Sequence, residues 1–235
     1  MDFDVLPLLQ YFMKTLYLIL LGLICANVLM GQIRPFDKLL VSKSYKIRIK
    51  TKDLDSGFLL ITASCKDRIA LRDTIYNSGL ESIKYPDFNR DGYPDILLSY
   101  TGNSNSYFLY LFDKKSNKFR KVEDYGNFPD AIQLRSNSNY YYSFHKAGCA
   151  DLNWVSDLFK LKNCQIVQMG EINGLGCDYN INKRPRKIEI YKISEKGSAQ
   201  WKLVAKLAYN RCIPDNGKKF DFISGYWNRN WKSFQ

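Results

Sequence analysis

From Tyr45 onward the chain is written in short runs whose apolar positions alternate with polar ones, separated by clusters of Asn, Asp, Gly, Ser and Lys. Lys46-Ile47-Arg48-Ile49-Lys50 alternates strictly, whereas Phe58-Leu59-Leu60-Ile61-Thr62 and Tyr107-Phe108-Leu109-Tyr110-Leu111-Phe112 are nearly continuous. Short β-rich runs of this kind between turn residues suggest a mostly antiparallel all-β domain. Hairpins follow from the punctuation. Asp113–Lys118 joins Tyr107–Phe112 to Phe119–Val122, Lys162-Asn163 joins Trp154–Leu161 to Cys164–Ile172, and the segment 194–199 joins Lys187–Ile193 to Trp201–Ala208. No 3.6-residue apolar period stands out after residue 31. The prediction is an all-β fold, an antiparallel meander forming a small propeller-like or sandwich domain. Within it, Glu171–Gly176 reads as a glycine turn carrying an acid. Tyr140-Tyr141-Tyr142 should leave at least one ring exposed, and Tyr226–Trp231 reads as a final strand or binding surface that closes the core.

The N-terminal pattern is different. Lys14 precedes the apolar run Leu16–Ile24, and a polar start follows at Gly31-Gln32, the layout of a secretory signal peptide. The run falls short of the roughly 20 residues that span a bilayer. Asp2 and Asp4 are unusual ahead of such a run, so translation starting at Met13 is an alternative to Met1. Residues 1–31 are therefore predicted to be a signal peptide, and 32–235 a single domain that is exported, periplasmic or secreted. A lipoprotein anchored through Cys25 is disfavoured because Ile24, not a small residue, precedes the cysteine.

Composition sharpens this picture. The net charge is +12, and loss of one lysine and two aspartates with the leader raises it to +13. Aromatic residues make up 15% of the chain, which suits packed β surfaces. Without Cys25, five of the six cysteines remain, and an oxidising compartment favours two disulfides and one free thiol. Extending the ladder of the Lys162-Asn163 hairpin brings Cys149 beside Cys177, the first pairing, with Cys164–Cys212 the second.

The stretch with most chemical content is Asp87-Phe88-Asn89-Arg90-Asp91-Gly92-Tyr93-Pro94-Asp95. Oxygen-bearing side chains recur every second residue and then bend at a glycine, which lets one loop supply a Ca²⁺ ion with several of the roughly 6–8 hard oxygen ligands it takes. The expected ligands are Asp87, Asn89, Asp91, the Tyr93 carbonyl and Asp95. The loop is not an EF-hand: position twelve is Leu98, where an EF-hand has a bidentate Glu, and Ile96–Tyr100 reads as a strand. A metal-free Asx-rich turn is the alternative.

This loop resembles the calcium loops of FG-GAP (VCBS) repeats. Taken together with Tyr110-Leu111-Phe112-Asp113-Lys114-Lys115-Ser116-Asn117-Lys118-Phe119, it is similar to bacterial exported proteins akin to periplasmic lysozyme inhibitors, some of which act as immunity proteins against peptidoglycan hydrolases. The resemblance spans about residues 80 to 175. It implies a calcium-stabilised binding protein, with an adhesion or cell-surface module as the alternative. Because a basic inhibitor is repelled by a basic target, an acidic peptidoglycan hydrolase is the partner it favours.

An enzyme is not expected. The only histidine, His145, lies four residues from Cys149, about 13 Å apart in a strand. The acids Asp151, Asp157, Glu171 and Asp178 have no readable pairing. Nucleic acid is not expected as a partner of an exported chain. The one dense basic cluster, Lys183–Lys187, permits peripheral contact with envelope polymers.

Overall fold

The computed structural model describes residues 35–42, 45–54, 57–102, 105–177, 180, 183–194, 200–213 and 215–235. The expected signal peptide, both candidate start codons and Cys25 lie outside the described residues, as does Asp178. Three antiparallel sheets follow one another along the chain. The first runs β1 (Asp37–Ser42), β2 (Tyr45–Leu54), β3 (Phe58–Cys65), β4 (Arg68–Tyr76) in spatial order. The middle sheet runs β5 (Leu80–Lys84), β6 (Ile96–Tyr100), β7 (Ser106–Asp113), β8 (Lys118–Lys121). The third contains β9 (Ile132–Gln133), β10 (Tyr140–Tyr142), β11 (His145–Lys146), β12 (Asn153–Lys162), β13 (Gln165–Leu175), β14 (Lys187–Ser194) and β15 (Gln200–Ala208). Its spatial order is β15-β14-β13-β12-β10-β9, with β11 also paired to β12.

The sheets stack, and the stacking explains the sequence pattern. Ile47 and Ile49 of β2, Leu59 and Ile61 of β3, and Tyr110 and Phe112 of β7 form one core between the first and middle sheets. The other face of β7, Leu109 and Leu111, packs with Leu161 and Ile166 of the third. A strand in the middle layer is buried on both faces, which is why β7 is written without alternation. The sandwich-like alternative fits these layers. The propeller alternative does not gain support, since propellers arrange about four or more blades around an axis and three sheets are present among the described residues.

Three expectations about the third sheet are corrected. Tyr140, Tyr141 and Tyr142 are all buried, because this sheet too is covered twice. Tyr140 and Tyr142 face the C-terminal segment, and Tyr141 faces the middle sheet. The C-terminal segment is not a strand: after a one-turn helix α1 (Tyr209–Cys212) comes α2 (Lys219–Asn230), then a 3₁₀ turn over Trp231–Phe234. Core closure is achieved, through Lys219, Ile223 and Trp227, whose spacing of four stacks them on the helix face over Trp154, Ile172 and Ile188. Gly225, Asn228 and several aromatics are weak helix formers, and packing overrides them.

Glu171–Gly176 is the third correction. It is mostly strand, β13, and not a turn. A Cβ at Gly174 would sit 2.1 Å from the Trp154 ring, and one at Gly170 would sit 2.5 Å from the Phe234 ring. The glycines are there so that large rings can lie directly on the backbone. The β12–β13 turn is one residue later than expected, at Asn163-Cys164, both with positive φ. The register from that turn pairs Asn153 with Leu175 and delivers the Cys149–Cys177 disulfide. Cys164 and Cys212 are free thiols instead of a second bond, since Cys164 packs on the middle sheet's side and Cys212 on the helix side; Cys65 is free and buried.

Substituting Gly174→Ala should lower unfolding free energy by about 1–3 kcal/mol, the usual cost of overpacking. Urea unfolding measures it, and an unchanged midpoint would show that the indole does not rest on this backbone.

Candidate functional site

The loop from Asp87 to Asp95 connects β5 to β6 and is ordered by its own carboxylates. Asp87 Oδ2 accepts from the Gly92 N–H at 2.9 Å, Asn89 Oδ1 from the Asp91 N–H at 3.1 Å, and Asp91 Oδ1 from the Tyr93 N–H at 2.9 Å. Asn89 Nδ2 also donates to Asp91 Oδ2 at 3.2 Å. Gly92 takes φ +88°, the left-handed value its place in the bend requires. All five expected ligand residues are therefore in one short loop. Asp87, Asn89 and Asp91 turn their side-chain oxygens to N–H groups of the loop itself, Asn89 and Asp91 as Asx turns. Among the described residues, no three His, Cys, Asp or Glu side chains gather as a metal cluster. The donor set suits a hard cation in kind and spacing, namely three carboxylates, one amide and the Tyr93 carbonyl.

Asp95 differs from the other four. Its carboxylate is completely buried, and each oxygen accepts a backbone N–H: Oδ2 from Phe88 and Oδ1 from Phe112 of β7, both at 2.8 Å. Burial, aided by the Asp91 charge, pushes its carboxyl up to about 7, against the pull of backbone donors on Phe112, Phe88 and Asn89. One side chain thus ties the start of the loop to a strand of the middle sheet.

The loop also reaches the other two sheets, through Phe88, the Gly92 carbonyl and the Tyr93 ring, none of them a group expected to bind the ion. Phe88 stacks on Tyr141 of the third sheet at 4.8 Å, with an interplanar angle of 6°, and its carbonyl accepts the Tyr141 hydroxyl at 3.0 Å. Tyr93 packs edge-on against Tyr45 of the first sheet at 5.0 Å. Ser42, also of the first sheet, donates to the Gly92 carbonyl at 2.8 Å. The signal available in the sequence was aromatic: Phe88 and Tyr93 are bulky residues in a loop that would otherwise be solvent-facing.

A second constellation lies on the third sheet, where the register sets Asp157 opposite Glu171. Asp157 is buried, accepts from Ser143 Oγ at 2.6 Å and Gln168 Nε2 at 2.7 Å, and burial pushes its carboxyl up to about 6. Glu171 is raised by burial and then by Asp157, and it accepts from Asn173 Nδ2 at 2.6 Å. His145 Nδ1 lies 3.8 Å from Asp157 Oδ2 without a hydrogen bond, and burial lowers the imidazole. His145 and Phe144 help line a cleft of about 190 Å³ with Asp130 and Lys146. Asp151 is elsewhere, in an ion pair with Lys146 at 2.9 Å. Cys149 is held in a disulfide, so it forms no dyad with His145. Counting inward from the expected turn would set Asp157 opposite Gln168; a turn one residue later and the β-bulge between Leu158 and Phe159 bring it opposite Glu171 instead. With both oxygens of Asp157 occupied by protein donors, the constellation is a buried polar hub.

No protein-family model matches the chain, and no curated protein matches it. Among solved structures, the "Structure of a Xanthomonas Type IV Secretion System related protein" is similar at 17% identity with a TM-score of 0.44. The match covers 74% of this chain and 100% of that one. A likeness this distant carries no inference about function.

The raised acids set the pH dependence of stability. A carboxyl whose pKa is higher folded than unfolded favours the fold below its ordinary value of 3.8, and that contribution is lost as pH rises through about 6 for Asp157 and about 7 for Asp95. Asp157→Asn should therefore flatten the decline in unfolding free energy between pH 4 and pH 7 by up to roughly 3 kcal/mol. Ser143 can reorient its hydroxyl to serve the amide. Chemical denaturation at a series of pH values reads the slope; a slope identical to that of the wild type would mean that Asp157 is ionised throughout.

Proposed function

We propose that this chain is an exported, calcium-stiffened β protein that acts by binding another protein, with inhibition of a peptidoglycan hydrolase as its specific task. The observation that carries this reading is the attachment of one acidic loop to all three sheets, by Phe88, by Tyr93 and Gly92, and by Asp95. A scaffold fixed in this way presents its surface with little freedom left to lose, and binding costs less entropy. The Cys149–Cys177 disulfide suits an oxidising compartment and closes a sequence separation of 28 residues. The choice of a cell-wall hydrolase rests on the resemblance of the loop and the Tyr110–Phe119 hairpin to lysozyme-inhibitor-like exported proteins, and an acidic enzyme suits a net charge of +12.

Calcium would be held by Asp87, Asn89, Asp91, the Tyr93 carbonyl and Asp95. The ion supplies positive charge beside acids that burial and mutual repulsion otherwise disfavour; it does no chemistry on a substrate. Because it binds the folded loop and not the unfolded chain, its stabilisation grows with the logarithm of its concentration above the dissociation constant. The Asp157, Glu171 and His145 hub is assigned to stability, not to turnover.

Two outcomes check this. Calcium at 100 times its dissociation constant should stabilise by about 2.7 kcal/mol, read as a rise in melting temperature that a chelator reverses and Asp91→Ala abolishes. Purified protein should also clear a band of lysis from a zymogram of periplasmic hydrolases. A protein that binds a surface partner but spares every hydrolase belongs to the adhesion class, and one that itself degrades peptidoglycan is an enzyme.

A further inference from the structure

The outer face of the first sheet is covered by no element among the described residues, and its composition is unusual. On β2 the residues pointing away from the core are Lys46, Arg48, Lys50 and Lys52, all exposed, while Ile47 and Ile49 between them are fully buried. At about 3.4 Å per residue these cations stand about 7 Å apart in a line. The register carries the row across the sheet: Lys50 is opposite Thr62, which is opposite Arg72. The carboxylate facing this row is Asp37, opposite Lys50 and paired with Arg48 at 2.7 Å and Lys50 at 3.3 Å.

Apolar side chains share the same face. Leu39 is opposite Arg48, Val41 is opposite Lys46, Ile69 is opposite Ser64, and Tyr76 is opposite Phe58, on whose ring it packs at 4.7 Å. Leu39, Val41, Ile69 and Tyr76 are between 57% and 67% exposed, more than any other large apolar residue described. A face built only to stay in water has no use for these four. A surface for a bare polyanion needs the cations but not the apolar residues. Arginines and a tyrosine beside aliphatic residues are the make-up of a protein interface, and here the cation row of β2 runs between the apolar residues of β1 and those of β4.

We infer that this face docks a protein whose own contact surface carries an acidic strip flanked by apolar residues, matching the cation row of β2 between the apolar residues of β1 and β4. The inference rests on the binding reading above and names the surface that reading would use: the occupant is the acidic hydrolase, met by β1 to β4 and not by the acidic loop. Opposite charge speeds encounter and is screened by salt, while the apolar residues lengthen the life of the complex.

The test uses the full-length processed protein and the periplasmic hydrolase fraction that the wild type inhibits. Lys46→Glu/Lys52→Glu/Arg72→Glu reverses three exposed charges on the face, and Lys202→Glu/Arg211→Glu/Lys218→Glu makes the same change elsewhere. The first variant should need about tenfold more protein, or beyond, for half-inhibition, and the second should stay within about twofold of the wild type, both at unchanged melting temperature. Tyr76→Ser should weaken inhibition in a salt-independent way. Equal inhibition by both charge variants overturns the face as the docking surface while leaving the binding reading intact. Inhibition by no form of the protein overturns that reading and the inference with it. Loss of retention on anionic lipopolysaccharide vesicles with inhibition unchanged would assign the face to a polymer and likewise overturn the inference.

Discussion

A carboxylate excluded from water must find donors or give up its charge, and Asp95 meets that demand by holding the loop to strand β7. Its oxygens take the N–H groups of Phe88 and Phe112, residues far apart in sequence and on opposite sides of the loop. A buried N–H needs an acceptor, and at this junction the side chain supplies one to each of the two. Every other feature of the loop depends on this fixture. Phe88 can lie flat on Tyr141 and Tyr93 can enter the core beside Tyr45 and Phe112 only while the segment between them keeps its path.

The same logic of buried polar groups recurs on the third sheet. Asp157 is held by Ser143 and Gln168, Ser156 donates to the Ser143 carbonyl, and the Trp227 indole donates to Ser156 Oγ. That chain of bonds links the C-terminal helix to the centre of the sheet it covers. Low dielectric makes such networks strong when complete and costly when broken. A molecule that pairs its buried acids in this way gains definition of shape.

Much of the fold was legible in the residues. The runs Lys46–Lys50 and Tyr107–Phe112 were legible as strands of an antiparallel fold, and the ladder of the β12–β13 hairpin set Cys149 close to Cys177 although its turn lies one residue later than read. What escaped has a common physical origin: covering layers that local sequence does not announce. Tyr140-Tyr141-Tyr142 should alternate in and out, but a helix on one side and the middle sheet on the other leave no outside. Gly174 suggests a turn until the ring of Trp154, supplied from another strand, is seen to occupy the space of its missing side chain. Helix α2 is weak by propensity and exists because Ile223 and Trp227 have a sheet to lie on. Of the loop, the spacing of its acids was visible and its attachment to three sheets was not, since Phe88 and Tyr93 say nothing by themselves about where they will pack.

The central claim is that Asp95 pins the acidic loop to the middle sheet, and amide hydrogen exchange at Phe88 and Phe112 tests it most directly. If the clamp is as described, both amides in the wild type exchange only with the opening of the sheets, and Asp95→Ala releases the two together while distant amides of β14 keep their protection. Fast exchange at Phe88 in the wild type, or release of one amide without the other in the variant, would contradict it.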